Sequence, residues 1–168
     1  MSEAEKVLEL SAEDAVQLLA KSGKVHFTDM RPLKIHAEIV PYSPEQNGQI
    51  FTRQISMKHQ ESGRIVVTEF EMSVPIRPIE QDATPAQSAV VIVKIGITYV
   101  FESKITENVI QVWSRIYGVI HSWPFWRTIS YSLLANMNIT PHVAPMVSPM
   151  EAAEMAGFKP TGEPAHLG

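Results

Sequence analysis

Apolar and polar residues alternate in four stretches of the chain, and this period of two predicts four β-strands. The first stretch covers 33–39, directly after Pro32. The second and third cover 50–59 and 64–74, and the turn between them is short enough to form a hairpin. The fourth, 90–101, is apolar on both faces, which predicts a strand that is central in the sheet or covered on both sides.

Beyond the fourth strand the pattern changes to apolar residues at three-and-four spacing, which is the period of an amphipathic helix. Thr106 is expected to cap this helix at its start. Pro124 lacks a backbone N–H and clashes with the preceding turn, so it predicts a break. A proline is well suited to the first turn of a helix, and a second helix is therefore expected over 124–137.

Strands grouped first and helices grouped last predict an α+β fold, a four-stranded antiparallel sheet followed by two helices packed on one face. The N-terminal segment, residues 1–23, contains a short helix that Ser11 can cap. The main domain is expected to cover residues 24–158 and to end with a short helix at 150–156. Residues 159–168 are expected to form a flexible tail.

The composition excludes several classes of function. Apolar residues make up 45% of the 168 residues and charged ones 19%, which is typical of one globular domain. The net charge of -4, without a basic block, argues against a nucleic-acid partner. The chain has no cysteine, so disulfides and thiol catalysis are excluded. No apolar run approaches the roughly 20 residues of a membrane span, and the acidic start differs from a signal peptide, so we expect no membrane insertion and a cytoplasmic location.

The sequence contains no catalytic signature: it has no nucleophile elbow, phosphate loop or dinucleotide motif. His36 and His59 could meet across strands and bind a metal ion, but ordinary exposed strand histidines are the favoured interpretation. Glu69 and Glu71 share a strand face and could act as paired carboxylates, although a solvated or partner-facing surface is favoured. We therefore expect a protein that is not an enzyme and that needs neither a cofactor nor a metal.

Large aromatic residues concentrate in Trp123-Pro124-Phe125-Trp126-Arg127. Such side chains either fill the space between helices and sheet or line a groove that binds other apolar chains. From the pattern alone we favour core packing for Trp113 and Phe125. Four other aromatic residues spread around the helices: Trp123, Trp126, Tyr117 and Tyr131. A helix that is apolar on more than one face needs more than one partner surface.

The edges of the predicted sheet make a second demand. Edge strands need pairing or protection, and these strands carry few of the charges that usually prevent edge pairing. Self-association that continues the sheet across two protomers would satisfy this demand.

The chain resembles the SecB family of protein-export chaperones and its SecB-like relatives over residues 24–158. Trp123-Pro124-Phe125-Trp126-Arg127 is similar to the family's aromatic-Pro-aromatic-x-Arg turn, and Val143-Ala144-Pro145-Met146-Val147 is similar to its apolar-Ala-Pro segment. The resemblance implies an ATP-independent holdase that binds unfolded polypeptides or preproteins in apolar surface grooves. It also implies a tetramer assembled as a dimer of dimers.

By position, the resemblance implies six client-binding residues: Trp123, Phe125, Trp126, Tyr131, Tyr42 and Phe51. It places Glu69 and Glu71 where the family's acidic strand surface contacts the motor ATPase of the export pathway. The tail after Phe158 does not reproduce the family's C-terminal docking segment. Some relatives instead shelter an antitoxin, so the alternative is a dedicated binding protein for one partner, such as an antitoxin or a phage or host protein.

Overall fold

The computed structural model describes residues 9–46, 50–60, 63–76, 84–101, 105–140, 144 and 146–160. In chain order the described elements are helix α1 (Ala12–Leu18), strands β1 (Val25–Pro41), β2 (Ile50–Gln60), β3 (Gly63–Ile76) and β4 (Gln87–Phe101), and helices α2 (Glu107–Asn136) and α3 (Pro149–Met155). A sheet of four strands with helices after it confirms the predicted α+β class.

The four strands form one antiparallel sheet in the order β1-β4-β3-β2. Strand β4 therefore lies in the interior of the sheet, as its apolar residues on both faces predicted. Strands β2 and β3 form the predicted hairpin, with Gln60 paired to Gly63. Strands β1 and β2 are the two edges.

Strand β1 begins at Val25, well before the predicted start after Pro32. Proline cannot donate a ladder hydrogen bond, which makes it a poor residue for a central strand. In β1 it is tolerated because this strand is at the edge, and the register with β4 shifts between Pro32 and Lys34. The alternation is hard to follow in the earlier part of β1, because the register with β4 also shifts between Phe27 and Asp29 and such an irregularity interrupts the period of two.

Helix α2 lies against the inner face of β3 and β4, where it approaches the sheet closely at Gly118. A Cβ atom on Gly118 would lie 2.7 Å from Cγ1 of Val66 and 3.3 Å from Oγ1 of Thr68. Val66 and Thr68 are both fully buried. Because glycine has no side chain at this point, the helix backbone can rest directly on β3 and seal the core.

The predicted break at Pro124 is wrong. Helix α2 continues through Pro124 as a single helix of 30 residues. An interior proline costs about 3 kcal/mol or more because it removes a helical hydrogen bond. The buried indoles of Trp123 and Trp126 on either side stabilise the helix by a comparable amount for each fully packed aromatic side chain. Tertiary packing therefore outweighs the local preference.

The N-terminal segment is attached to the end of the domain. Ser11 caps α1 as predicted, because its hydroxyl accepts the backbone N–H of Asp14 at 3.1 Å. The N–H of Ala12 donates to the carbonyl of Lys159 at 2.8 Å, and the N–H of Lys159 donates to Leu10 at 3.1 Å. Of the expected tail, only Lys159 and Pro160 lie within the described residues.

Candidate functional site

An apolar groove of about 300 Å³ opens where the start of β2, the middle of α2 and helix α3 meet. Its lining residues are Ile50, Trp123, Met146, Val147, Glu151, Glu154 and Met155. We call this the α3 groove. Its apolar side chains include two flexible methionines, which adapt to ligands of different shape. Its volume lies at the small end of ligand sites, so it fits one or two side chains of a bound chain.

The wall formed by Met146 and Val147 belongs to the segment between α2 and α3. Two residues of α2 hold this segment in place. The hydroxyl of Tyr131 accepts the backbone N–H of Ala144, and Nη1 of Arg127 donates to the sulfur of Met146 at 3.6 Å. The guanidinium of Arg127 also lies 5.8 Å above the ring of Tyr131, within the range of a cation–π contact. Two described residues of the apolar-Ala-Pro segment, Ala144 and Met146, are thus held against α2, and one of the two contacts comes from the arginine of the aromatic motif.

Two carboxylates, Glu151 and Glu154, contribute the charge of the α3 groove. Glu151 completes a capping box, in which its carboxylate accepts the N–H of Ser148 at 2.8 Å while the Ser148 hydroxyl accepts the N–H of Glu151. The backbone and side-chain hydrogen bonds with Ser148 lower the pKa of Glu151 below its ordinary value. The groove therefore keeps a negative charge at its edge under ordinary conditions.

The two tryptophans of the motif have core positions. Trp126 is 0% exposed and Trp123 is 4% exposed, and both rings lie 5.7 Å from the ring of Phe70. Because Trp126 has no accessible surface, it cannot line a client groove in the folded protomer, and we correct its predicted role to core packing. Trp123 combines both roles: its small exposed edge forms part of the α3 groove.

The remaining predicted client-binding residues are dispersed. Phe125 and Tyr131 are half-buried and pack against the core, with Tyr131 acting on the groove indirectly through Ala144. Tyr42 is half-buried in the loop after β1, where its backbone N–H donates to Ala86 at 3.0 Å. Phe51 pairs with Glu71 in β2, and its side chain lies outside the described set. Of the predicted client-binding residues whose side chains the structure describes, only Trp123 lines the groove directly.

Glu69 and Glu71 lie on the face of the sheet opposite α2, because they alternate with the buried Phe70. The carboxylate of Glu69 is 2.9 Å from the ammonium group of Lys94 on β4. Glu69 is thus neutralised within the protomer. The acidic strand surface expected for a motor ATPase partner is correspondingly weaker than the sequence suggested.

The possible metal site at His36 and His59 is wrong, because β1 and β2 lie at opposite edges with β4 and β3 between them. His36 instead lies 3.5 Å from Glu38 of its own strand. No group of three or more metal-ligating side chains occurs among the described residues. In the same part of the chain, no helix combines the length and hydropathy needed to cross a membrane.

A second apolar surface lies on the outer edge strand. Phe27, Ile35 and Ile39 of β1 are each about half exposed, and their cross-strand partners in β4 belong to the core. We call these three residues the β1 strip. Large apolar side chains grouped on one side of an edge strand are typical of an interaction surface.

His121 on α2 is a residue that the sequence did not single out. Its Nδ1 lies 3.0 Å from the hydroxyl of Tyr99, which also donates to the carbonyl of Tyr117 at 3.3 Å. The imidazole is surrounded by four aromatic rings, those of Phe27, Tyr99, Trp113 and Tyr117. This burial lowers the pKa of His121 and raises that of Tyr99. The spacing of four places Trp113, Tyr117 and His121 on one face of α2, but it does not show that Phe27 and Tyr99 of two strands complete the cluster.

Comparison with known proteins identifies the architecture. No protein-family model matches the sequence, and no curated protein matches it. Among solved structures, one similar chain is the SecB-like chaperone Rv1957 of Mycobacterium tuberculosis, in complex with a ChAD peptide from the HigA1 antitoxin Rv1956. The two share 15% identity with a TM-score of 0.60, over 82% of this chain and 98% of that one. The chain has a SecB-like fold. This fold is the one that the motif resemblance implied.

The position of Trp126 within the SecB-like fold predicts a stability effect. Trp126→Ala should lower the free energy of unfolding by about 3–5 kcal/mol, the cost of a large cavity in a core. Met146→Ala, at a side chain that is 73% exposed, should change it by less than about 0.5 kcal/mol. Urea unfolding at one fixed protein concentration measures both values. An unchanged unfolding midpoint for Trp126→Ala would contradict the core position of Trp126.

The aromatic cluster around His121 predicts a pH dependence. Because burial lowers the pKa of His121 in the folded state, the unfolded state binds the extra proton more readily. The contribution of neutral His121 to the free energy of unfolding is therefore fully present above the ordinary histidine pKa of about 6.5. It is lost as the pH falls through the lower pKa that His121 has in the folded state. Thermal unfolding across this window should show a smaller loss of stability on acidification for His121→Gln than for the wild type. An identical loss in both proteins would contradict the prediction.

Proposed function

We propose that this chain is an ATP-independent holdase chaperone that binds apolar segments of unfolded polypeptides or preproteins. The α3 groove carries the proposal, since it presents an exposed methionine and an indole edge on a SecB-like fold. Aromatic and methionine side chains bind many different apolar sequences without directional contacts. The structural neighbour Rv1957 was solved with a peptide of an antitoxin bound, which supports peptide binding by this fold.

The magnitude of the binding energy favours an assembly. One buried apolar side chain contributes roughly 1.5–3 kcal/mol, whereas micromolar affinity requires about 8.2 kcal/mol. A groove that fits one or two side chains cannot reach this value alone. Several grooves acting on one client through multivalency can. We therefore propose a tetramer assembled as a dimer of dimers, in which sister subunits cover the β1 strip.

The cellular setting of the proposal is cytoplasmic, with neither enzyme activity nor a cofactor. Delivery of clients to the export motor ATPase through Glu69 and Glu71 is a further part of it. The ion pair between Glu69 and Lys94 argues that this contact is weak, because part of the acidic charge is already neutralised within the protomer. Holding of clients is thus the primary activity that we propose.

A dedicated binding protein is the second candidate. The peptide bound by Rv1957 comes from one antitoxin, which favours a single-partner role for some proteins of this fold. Affinity purification from native lysate separates the two functions. Many co-purifying chains would support a general holdase, whereas one stoichiometric chain would support a dedicated partner such as an antitoxin or a phage or host protein.

The direct test places a charge in the α3 groove. Val147→Asp adds a carboxylate to its apolar wall, next to Glu151, and should weaken client binding by about tenfold or more, since an unpaired charge is excluded from an apolar contact. Light scattering of a urea-unfolded test protein, diluted with and without the chaperone, measures the suppression of aggregation.

Ser132→Asp is the matched control, because Ser132 is exposed on α2 and does not line the groove. This variant should suppress aggregation as the wild type does. If wild type fails to suppress aggregation at equimolar protomer, the holdase function is refuted. If Val147→Asp retains full activity with an unchanged melting temperature, clients bind elsewhere.

A further inference from the structure

The most exposed large apolar side chain among the described residues is Met146, at 73% exposure. It forms part of the wall of the α3 groove. By contrast, Met72 is 2% exposed in the core, and Met155 on the same groove is half-buried. An oxidant in solution therefore meets the sulfur of Met146 more readily than that of the other two.

The sulfur chemistry of this chain is limited to thioethers, because the sequence contains eight methionines and no cysteine. Peroxides oxidise exposed methionine to the sulfoxide, and dedicated reductases reverse the reaction. The product is polar and disrupts apolar contacts that the thioether makes. A methionine that is both exposed and part of a binding surface is therefore a chemical means of regulating that surface.

Arg127 adds a second element at the same atom. Its Nη1 donates to the Met146 sulfur at 3.6 Å, which is a weak hydrogen bond because a thioether is a weak acceptor. A sulfoxide oxygen is a stronger acceptor, and a hydrogen bond from a charged donor is stronger than a neutral one. Oxidation thus exchanges an adaptable apolar contact for a polar one held by Arg127.

We propose that Met146 is a reversible oxidation site that reduces ligand binding in the α3 groove. A hydroperoxide, such as hydrogen peroxide, transfers one oxygen atom to the thioether sulfur. The sulfur is oxidised to the sulfoxide, the O–O bond breaks, and hydrogen peroxide is reduced to water. The consequence for clients rests on the proposed holdase function, whereas the site of oxidation does not.

The order of oxidation is the first measurement. The intact protein is titrated with hydrogen peroxide, and the sulfoxide content of each methionine is read by mass spectrometry of its peptides. Among the methionines whose side chains the structure describes, Met146 should be oxidised first, and Met155 should follow only at higher peroxide. Oxidation of Met155 at the same rate as Met146, or earlier, would overturn the proposal.

The effect on the groove is the second measurement, with the neutral apolar dye Nile red as the probe. The groove signal is the part of the dye fluorescence that Val147→Asp abolishes. Oxidised wild type and Met146→Gln, which mimics the polar sulfoxide, should both bind the dye about tenfold or more weakly, because a polar group then replaces an apolar side-chain contact of the groove wall. Met146→Leu cannot be oxidised at this position and should keep its own starting affinity after peroxide. Equal losses in Met146→Leu and wild type would overturn the proposal.

Aggregation assays then separate this inference from the proposed function. Suppression of aggregation by the reduced wild type but not by the oxidised protein, with recovery after methionine sulfoxide reductase, would support both the holdase function and the oxidation site at Met146. If the reduced protein fails to suppress aggregation, the holdase function is refuted. The peptide and dye measurements then still test the oxidation site independently of the holdase function.

Discussion

Direct contact between helix α2 and strand β3 at Gly118 is the constraint on which the rest of the structure depends. Without a side chain at Gly118, the helix backbone rests on Val66 and Thr68, and the indoles further along the helix reach Phe70. The interior proline is tolerated because this packing extends on both sides of it. A single helix set on the two central strands does not cover the edge strand β1, which is largely exposed. The apolar side chains of β1 therefore remain exposed in one protomer, and we propose that a sister subunit covers them.

From the sequence, two roles are possible for the aromatic motif at 123–127, core packing and client binding. The packing of α2 on the sheet assigns these roles to different residues of the motif. Trp126 completes the core, while Trp123 shows only an edge at the α3 groove. Arg127, the last residue of the motif, reaches across to Met146 and so connects the helix with the groove wall. One short run of residues thus contributes to stability and to the shape of the α3 groove and, as we propose, to the sensitivity of the groove to oxidation. A surface built on methionine gains adaptability and becomes open to oxidation for the same chemical reason.

Much of the architecture could be predicted from the sequence, because strand alternation and hairpin spacing are local signals. The continuity of α2 could not, since the proline rule describes local cost and the compensation comes from residues of a distant strand. Trp126 was assigned to the client groove instead of the core, because a helix that is apolar on several faces does not reveal its rotation on the sheet. His121 escaped notice because its partner Tyr99 lies in β4, 22 residues away in the chain.

The central claim is that one folded protomer leaves the β1 strip uncovered, and that sister subunits occupy it. The molar mass in solution, measured by light scattering during size-exclusion chromatography, tests this claim most directly. We expect four times the mass of one chain, falling when Ile35 and Ile39 are both changed to lysine, since charges on an edge strand oppose pairing. A wild-type protein that remains a stable single chain across the concentration range would contradict the account.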